Sequence, residues 1–146
     1  MAILCDPRLA AFETTVPRGI RDDVIWKFHV YRVAIFMSHL ARADVRRQRL
    51  GTRWRAITEQ LTSSIASVGA NVSEGYGRSR PVDRARFYEM AVGSLREAIT
   101  WYDASRAFLP AEVVDERIEQ LTELRRMLHG ALRALRVLPP ETRLFG

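Results

Sequence analysis

Two spaced pairs, Asn71 with Glu74 and Ser94 with Glu97, are the residues of this 146-residue chain whose types and separation could support chemistry. Three positions apart on a helix, the members of each pair share one face. Two inward carboxylates could work as acid and base or hold a metal ion. Metal centres in helix bundles, however, use several glutamates together with Glu-x-x-His partners, and this sequence has none. His29, His39 and His129 lie far apart without ligand spacing. No GxxxxGK[ST] loop, GxSxG elbow or HExxH helix is present, and the glycines of EGYGRS follow no strand that would make them a dinucleotide fingerprint. The expectation is a noncatalytic protein with no catalytic residue, metal or cofactor. Asn71, Glu74, Gly75, Gly93, Ser94 and Glu97 then read as a structural polar seam. Its polar groups satisfy backbone or side-chain partners and fix helix register, while Gly69, Gly75 and Gly93 let helices approach closely.

The elements that must position this seam are helical. Apolar residues with helical spacing run through about 22–46, then from Trp54 through Ile57, Leu61, Ser64, Val68 and Asn71 to Gly75. A third stripe joins Phe87, Ala91, Ser94, Ala98, Trp101, Ser105 and Phe108. A fourth runs from Val114 through Ile118, Leu121, Leu124, Leu128, Ala131 and Leu135 to Leu138. Thr52 is placed to cap the second helix, Pro81 to open the third, and Pro139 and Pro140 to stop the fourth. Four such helices with short connections bury their stripes most economically as an all-α, up-down-up-down antiparallel four-helix bundle. The expected organisation is an N-terminal arm over 1–20, the bundle over 21–140 and a C-terminal tail over 141–146. Pro7, Pro17 and Gly19 break any sustained period in the arm.

Length and composition bound the remaining classes. A single domain of this size buries about 68–70% of the surface its unfolded chain exposes, enough for a core without metal or disulfides. The only cysteine, Cys5, has no partner for an intrachain disulfide, and no apolar run reaches the length of a signal peptide or a membrane span. The expected setting is cytoplasmic, with no membrane partner.

The formal net charge is +6, and Lys27 is the only lysine, so the positive charge is carried by arginine. The planar guanidinium fork suits phosphates and carboxylates, whereas a GC-rich genome that favours arginine codons would give the same composition. Placement is more informative. Arg42, Arg46, Arg47, Arg49, Arg53 and Arg55 crowd the first connection, and Arg78, Arg80, Arg84 and Arg86 surround the middle turn, with Arg133 and Arg136 approaching the same end. Glu112, Asp115, Glu116 and Glu119 should lie near the first group and neutralise it, which favours the Arg78–Arg86 pole for phosphate binding. The alternative is that both groups merely solvate exposed turns. Trp54, Trp101 and Tyr102 could stack on bases, but their register favours a core or subunit interface.

The segments SVGANVSEGYGRS and FYEMAVGSLREA together resemble the bacterial four-helix bundle proteins encoded by intervening sequences in large-subunit ribosomal RNA genes. The matching units are Asn71, Glu74 and Gly75 at the end of the second helix, and Gly93, Ser94, Leu95 and Glu97 in the third. The resemblance runs from about Trp26 to Leu138; helix one departs from the usual Leu-x-Val-Trp opening. It implies a ring-shaped homo-oligomer, a pentamer in that family. A related branch, the accessory variability proteins of diversity-generating retroelements, implies RNA or DNA and a reverse transcriptase as partners. The leading expectation is therefore a noncatalytic, oligomeric, nucleic-acid-associated adaptor. The alternative is a structural or protein-binding bundle without a nucleic-acid role.

Overall fold

A computed structural model describes residues 2–48 and 51–137. Among these the chain is helical throughout, with no strand. Two short helices, α1 (Pro7–Thr15) and α2 (Arg18–Arg21), precede four long ones: α3 (His29–Arg47), α4 (Arg55–Tyr76), α5 (Pro81–Ala104) and α6 (Ala111–Arg136). Each long helix packs on its neighbour in sequence, and α3 also meets α6. None of the described helices is long and apolar enough to cross a membrane.

Local chemistry explains most boundaries. Asp6 caps α1 by accepting the Arg8 N–H at 2.8 Å, with Pro7 in the first turn, where a missing N–H costs nothing. Asp23 caps the 3-10 turn Val24–Lys27 in the same way, so α3 begins at His29, several residues later than the apolar spacing suggests. Pro81 opens α5, as expected. Thr52 does not cap α4: it starts a 3-10 turn, Thr52–Trp54, and α4 follows from Arg55 without a side-chain cap. The proposed stop at Pro139 and Pro140, Leu138 and the 141–146 tail lie outside the described residues.

The core is continuous across the long helices, with Val33, Met37, Leu61, Val72, Leu95 and Leu124 all completely or almost completely buried. On α5 the buried line is rotated from the expected one. Tyr88, Val92, Leu95 and Tyr102 turn inward beside Ala91 and Ala98, leaving Phe87, Ser94 and Trp101 half-buried on the flank. The apolar face of α3 is broad because two layers cover it. Ala34 faces α4, with its Cβ close to Gly69, while Phe36 and His39 receive Phe12 of the N-terminal arm at ring separations of 5.5 and 4.8 Å. The arm is thus folded and draped over the long helices, burying Ile3, Leu9 and Val16. Arg32 of α3 pairs with Glu13 at 3.1 Å, and the Ile3 N–H donates to Glu123 of α6 at 2.9 Å.

Candidate functional site

The six seam residues do not form one buried site. Asn71 donates to the Ser67 carbonyl at 2.9 Å and to its hydroxyl at 3.2 Å, and Ser67 shares a 3.1 Å hydrogen bond with Ser94, so a short polar chain links α4 to α5. Gly75 is buried where α5 presses closest: a Cβ there would sit 2.9 Å from Phe87 Cβ and from the Tyr88 ring. Glu74, Gly93 and Glu97, by contrast, face outward. Glu74 pairs with Arg78, and Glu97 accepts a long hydrogen bond from Trp101 Nε1 at 3.4 Å. Exposure lets water solvate these two carboxylates, so neither requires a buried partner. Among the described residues no cluster of three His, Cys, Asp or Glu side chains converges as metal ligands would.

The buried polar centre lies elsewhere, between α3, α5 and α6. Arg117, 3% exposed, donates from Nε and Nη2 to the two oxygens of Asp44 at 2.8 and 3.1 Å. Tyr102 Oη donates to Asp44 at 2.9 Å. Arg117 Nη1 donates to Glu116 at 2.6 Å and Gln120 at 3.2 Å. Gln120 extends the network to Asp6 of the arm at 3.3 Å, and Arg8 closes it by pairing with both Asp6 and Glu116 at 2.7 Å. Burial opposes the charge on Arg117, but the Asp44 hydrogen bonds and charge outweigh it and hold the guanidinium protonated. Burial, then the Asp44 charge, push the Tyr102 phenol far above its ordinary value, so it stays a hydrogen-bond donor. Every strong donor is satisfied, so this network serves to register three helices and the arm. Two sequence signals marked it: Asp44 is the lone acid among the first-connection arginines, and Arg117 occupies the apolar register between Val114 and Leu121.

The arginines divide differently from the expected neutralisation. Asp115 pairs with Arg106 at 2.7 Å, and Glu116 with Arg8 and Arg117. Neither reaches the first cluster, because Arg8, Arg106 and Arg117 lie nearer. Arg46, Arg47 and Arg55 are exposed and have no ion-pair partner among the described residues. Arg42 donates only to the Ser38 hydroxyl at 3.1 Å, and Arg53 lies 4.8 Å over the Trp54 ring. Arg49 lies outside the described residues. Together Arg42 and Arg46 add to burial in lowering the His39 pKa, which keeps that ring neutral against Phe12.

The other pole is partly neutralised. Besides the Arg78–Glu74 pair, Arg80 meets Asp83 at 3.8 Å and Arg136 meets Glu89 at 3.7 Å. Arg78 also lies over Phe87 at 4.9 Å, and Arg84 donates to the Arg78 carbonyl at 2.8 Å. Arg86 and Arg133 are exposed there without an ion pair among the described residues.

A family model described as 23S rRNA-intervening sequence protein matches residues 45–130, from the last turn of α3 through most of α6. Among solved structures, the chain is similar to a protein of unknown function from the S23 ribosomal protein family of Bacteroides thetaiotaomicron. The two share 19% sequence identity, with 71% of this chain and 94% of that chain covered and a TM-score of 0.58. At that identity the likeness concerns the fold alone. No curated protein matches the chain. The family match takes in more than half of the sequence, including both the Asn71–Gly75 and Gly93–Glu97 units, and the chain belongs to the 23S rRNA-intervening sequence protein family.

Proposed function

We propose that this protein is a noncatalytic, oligomeric nucleic-acid-associated adaptor, an up-down-up-down antiparallel four-helix bundle repeated around a ring. The observation that carries the reading is the charge imbalance at the junction of α3 and α4. There Arg46, Arg47 and Arg55 are exposed without carboxylate partners among the described residues, while the one acid of the segment, Asp44, is turned inward to Arg117. Unpaired guanidinium groups beside the Arg53-covered ring of Trp54 offer phosphate contacts next to an aromatic surface. Repetition around a ring multiplies weak contacts into useful affinity. The junction therefore replaces the Arg78–Arg86 pole as the leading contact surface, with Arg86 and Arg133 as a second one.

Binding of a fluorescent single-stranded RNA across a salt series tests this. Contact with several phosphates makes log K fall linearly with log salt, by about 0.7 per phosphate neutralised on a single strand. Reversal of Arg46, Arg47, Arg53 and Arg55 to glutamate should abolish binding and leave assembly, followed by native mass spectrometry, unchanged. Reversal of Arg78, Arg80, Arg84 and Arg86 should weaken it less. Undiminished binding in the first variant rejects the junction. Absence of RNA and DNA binding by a folded oligomer favours the structural or protein-binding alternative. A role beside a reverse transcriptase is a narrower form of the proposal, checked by copurification with such an enzyme from native cells.

A further inference from the structure

A cleft of about 490 Å³ opens between the start of α3 and the last third of α6. Its floor is apolar: Phe28, Val30, Met127 and Ala131. Its rim carries the exposed cations Lys27, Arg126 and Arg133, with His29 beside them. No carboxylate lines the cleft, and none of the three cations has an ion pair among the described residues. Gly130 adds to the opening. A Cβ there would meet only the Arg133 guanidinium, at an ordinary 3.7 Å, so the space above it is bounded by a movable cation rather than by core.

We infer that this cleft binds an anionic amphiphile, with a hydrocarbon body on the floor and a carboxylate or phosphate head among Lys27, Arg126 and Arg133. The volume falls within the range of small-molecule sites. Its polar side chains are three cations and His29, so it holds almost no acceptor for the donors of a polar body, whose burial would be costly. A hydrocarbon body makes no such demand. Three unpaired cations around the mouth supply charge-assisted hydrogen bonds to an anionic head, which are stronger than neutral ones. A neutral alcohol of the same length gains only the floor, and an inorganic anion only the rim. The inference requires neither RNA nor the α3–α4 junction and shares only Arg133 with the second nucleic-acid surface.

The test is titration of the full chain with dodecanoate, dodecyl phosphate, dodecanol and inorganic phosphate below micelle-forming concentrations. Binding is read by calorimetry and by tryptophan emission, to which Trp26, beside Lys27, contributes with Trp54 and Trp101. One molecule of either amphiphile should bind per chain, with dodecanol weaker by about ten-fold or more through loss of a charge-assisted contact, and inorganic phosphate weaker by about ten-fold or more through loss of the buried hydrocarbon. Gly130→Leu, which places a side chain over the floor where a Cβ meets only the Arg133 guanidinium, should abolish binding while the helical circular dichroism is unchanged. Arg126→Gln with Arg133→Gln should weaken the acids and leave dodecanol unaffected. Flotation with phosphatidylglycerol vesicles separates the two sources of such a ligand. Vesicle binding that Gly130→Leu removes assigns a bilayer lipid, and uptake of free amphiphile without vesicle binding assigns a free acid or phosphate ester. Equal affinity for dodecanol and dodecanoate, or binding unchanged in Gly130→Leu, overturns the inference.

Discussion

Asp44 and Arg117, separated by 73 positions in sequence, meet through two hydrogen bonds at 2.8 and 3.1 Å and are almost completely removed from solvent. The pair fixes α3 against α6, and the phenol of Tyr102 on α5 adds a third helix to the same carboxylate. Replacing Asp44 by alanine leaves the buried Arg117 guanidinium with Glu116 and Gln120 only and removes the acceptor of the Tyr102 hydroxyl, and should cost about 3–5 kcal/mol in urea-unfolding free energy. Substituting both members, Asp44→Leu with Arg117→Met, removes the unpaired charge and should cost much less than Asp44→Ala alone. A double variant less stable than Asp44→Ala would show that the pair is net stabilising in its own right.

Tyr102→Phe keeps the ring in the core and removes only the hydroxyl. Asp44 retains Arg117, so the expected loss is about 0.5–1.5 kcal/mol, the net contribution of one hydrogen bond. The same urea curves measure it. A loss as large as that of Asp44→Ala would show that the phenol, rather than Arg117, carries the network.

The attachment of the arm should weaken in acid. Hydrogen bonds from Arg8 hold the Asp6 and Glu116 carboxyls below their ordinary values of 3.8 and 4.5. A depressed carboxyl pKa stabilises the fold fully above the ordinary value, and that stability is lost as pH falls through the folded value. His39 acts in the same direction at higher pH. Burial, with help from Arg42 and Arg46, lowers its pKa below 6.5, so stability begins to fall as pH drops past 6.5 and the unfolded state takes up the proton first. Protection of the amides of residues 2–16, taken relative to the intrinsic exchange rate at each pH, should therefore fall in two stages, first below pH 6.5 and again below about pH 4.5. Arg8→Ala should remove the lower stage. Protection that stays constant from pH 7 to 3 would contradict this coupling.

Two family-motif glycines should respond oppositely to alanine. At Gly75 the added methyl would meet Phe87 and Tyr88 at 2.9 Å, so α4 and α5 must separate, at a cost of about 1–3 kcal/mol. At Gly93 nothing lies within 4 Å, and the exposed helical site should gain roughly 0.5–1 kcal/mol. Thermal unfolding of the two variants distinguishes them. Destabilisation by Gly93→Ala would show that its open face is covered in the assembled protein.

The presence and order of the long helices were legible in the sequence because apolar spacing is local, whereas the start of α3 and the capping of α4 were not. Pro81 starts α5, Gly77 follows the last turn of α4, and Leu121, Leu124 and Leu128 lie on the inward side of α6 as their spacing requires. The helical period leaves the exact centre of a broad apolar face ambiguous by one position. On α5 that ambiguity placed Ser94 and Trp101 on the buried line, which docking gave to Leu95 and Tyr102.

Sequence alone thus determined an all-helical chain with arginine concentrated in its connections, since both follow from residue type and local spacing. Tertiary structure decided which carboxylates turn inward and which arginines keep a free charge. Asp44 is buried because Arg117 and Tyr102, remote in sequence, converge on it, and its burial withdraws negative charge from the α3–α4 junction. Glu74 and Glu97, three positions from residues in the apparent core register, remain in water because no buried cation faces them. The energy of a buried charge depends on partners brought together by helix docking, and no local pattern specifies that convergence.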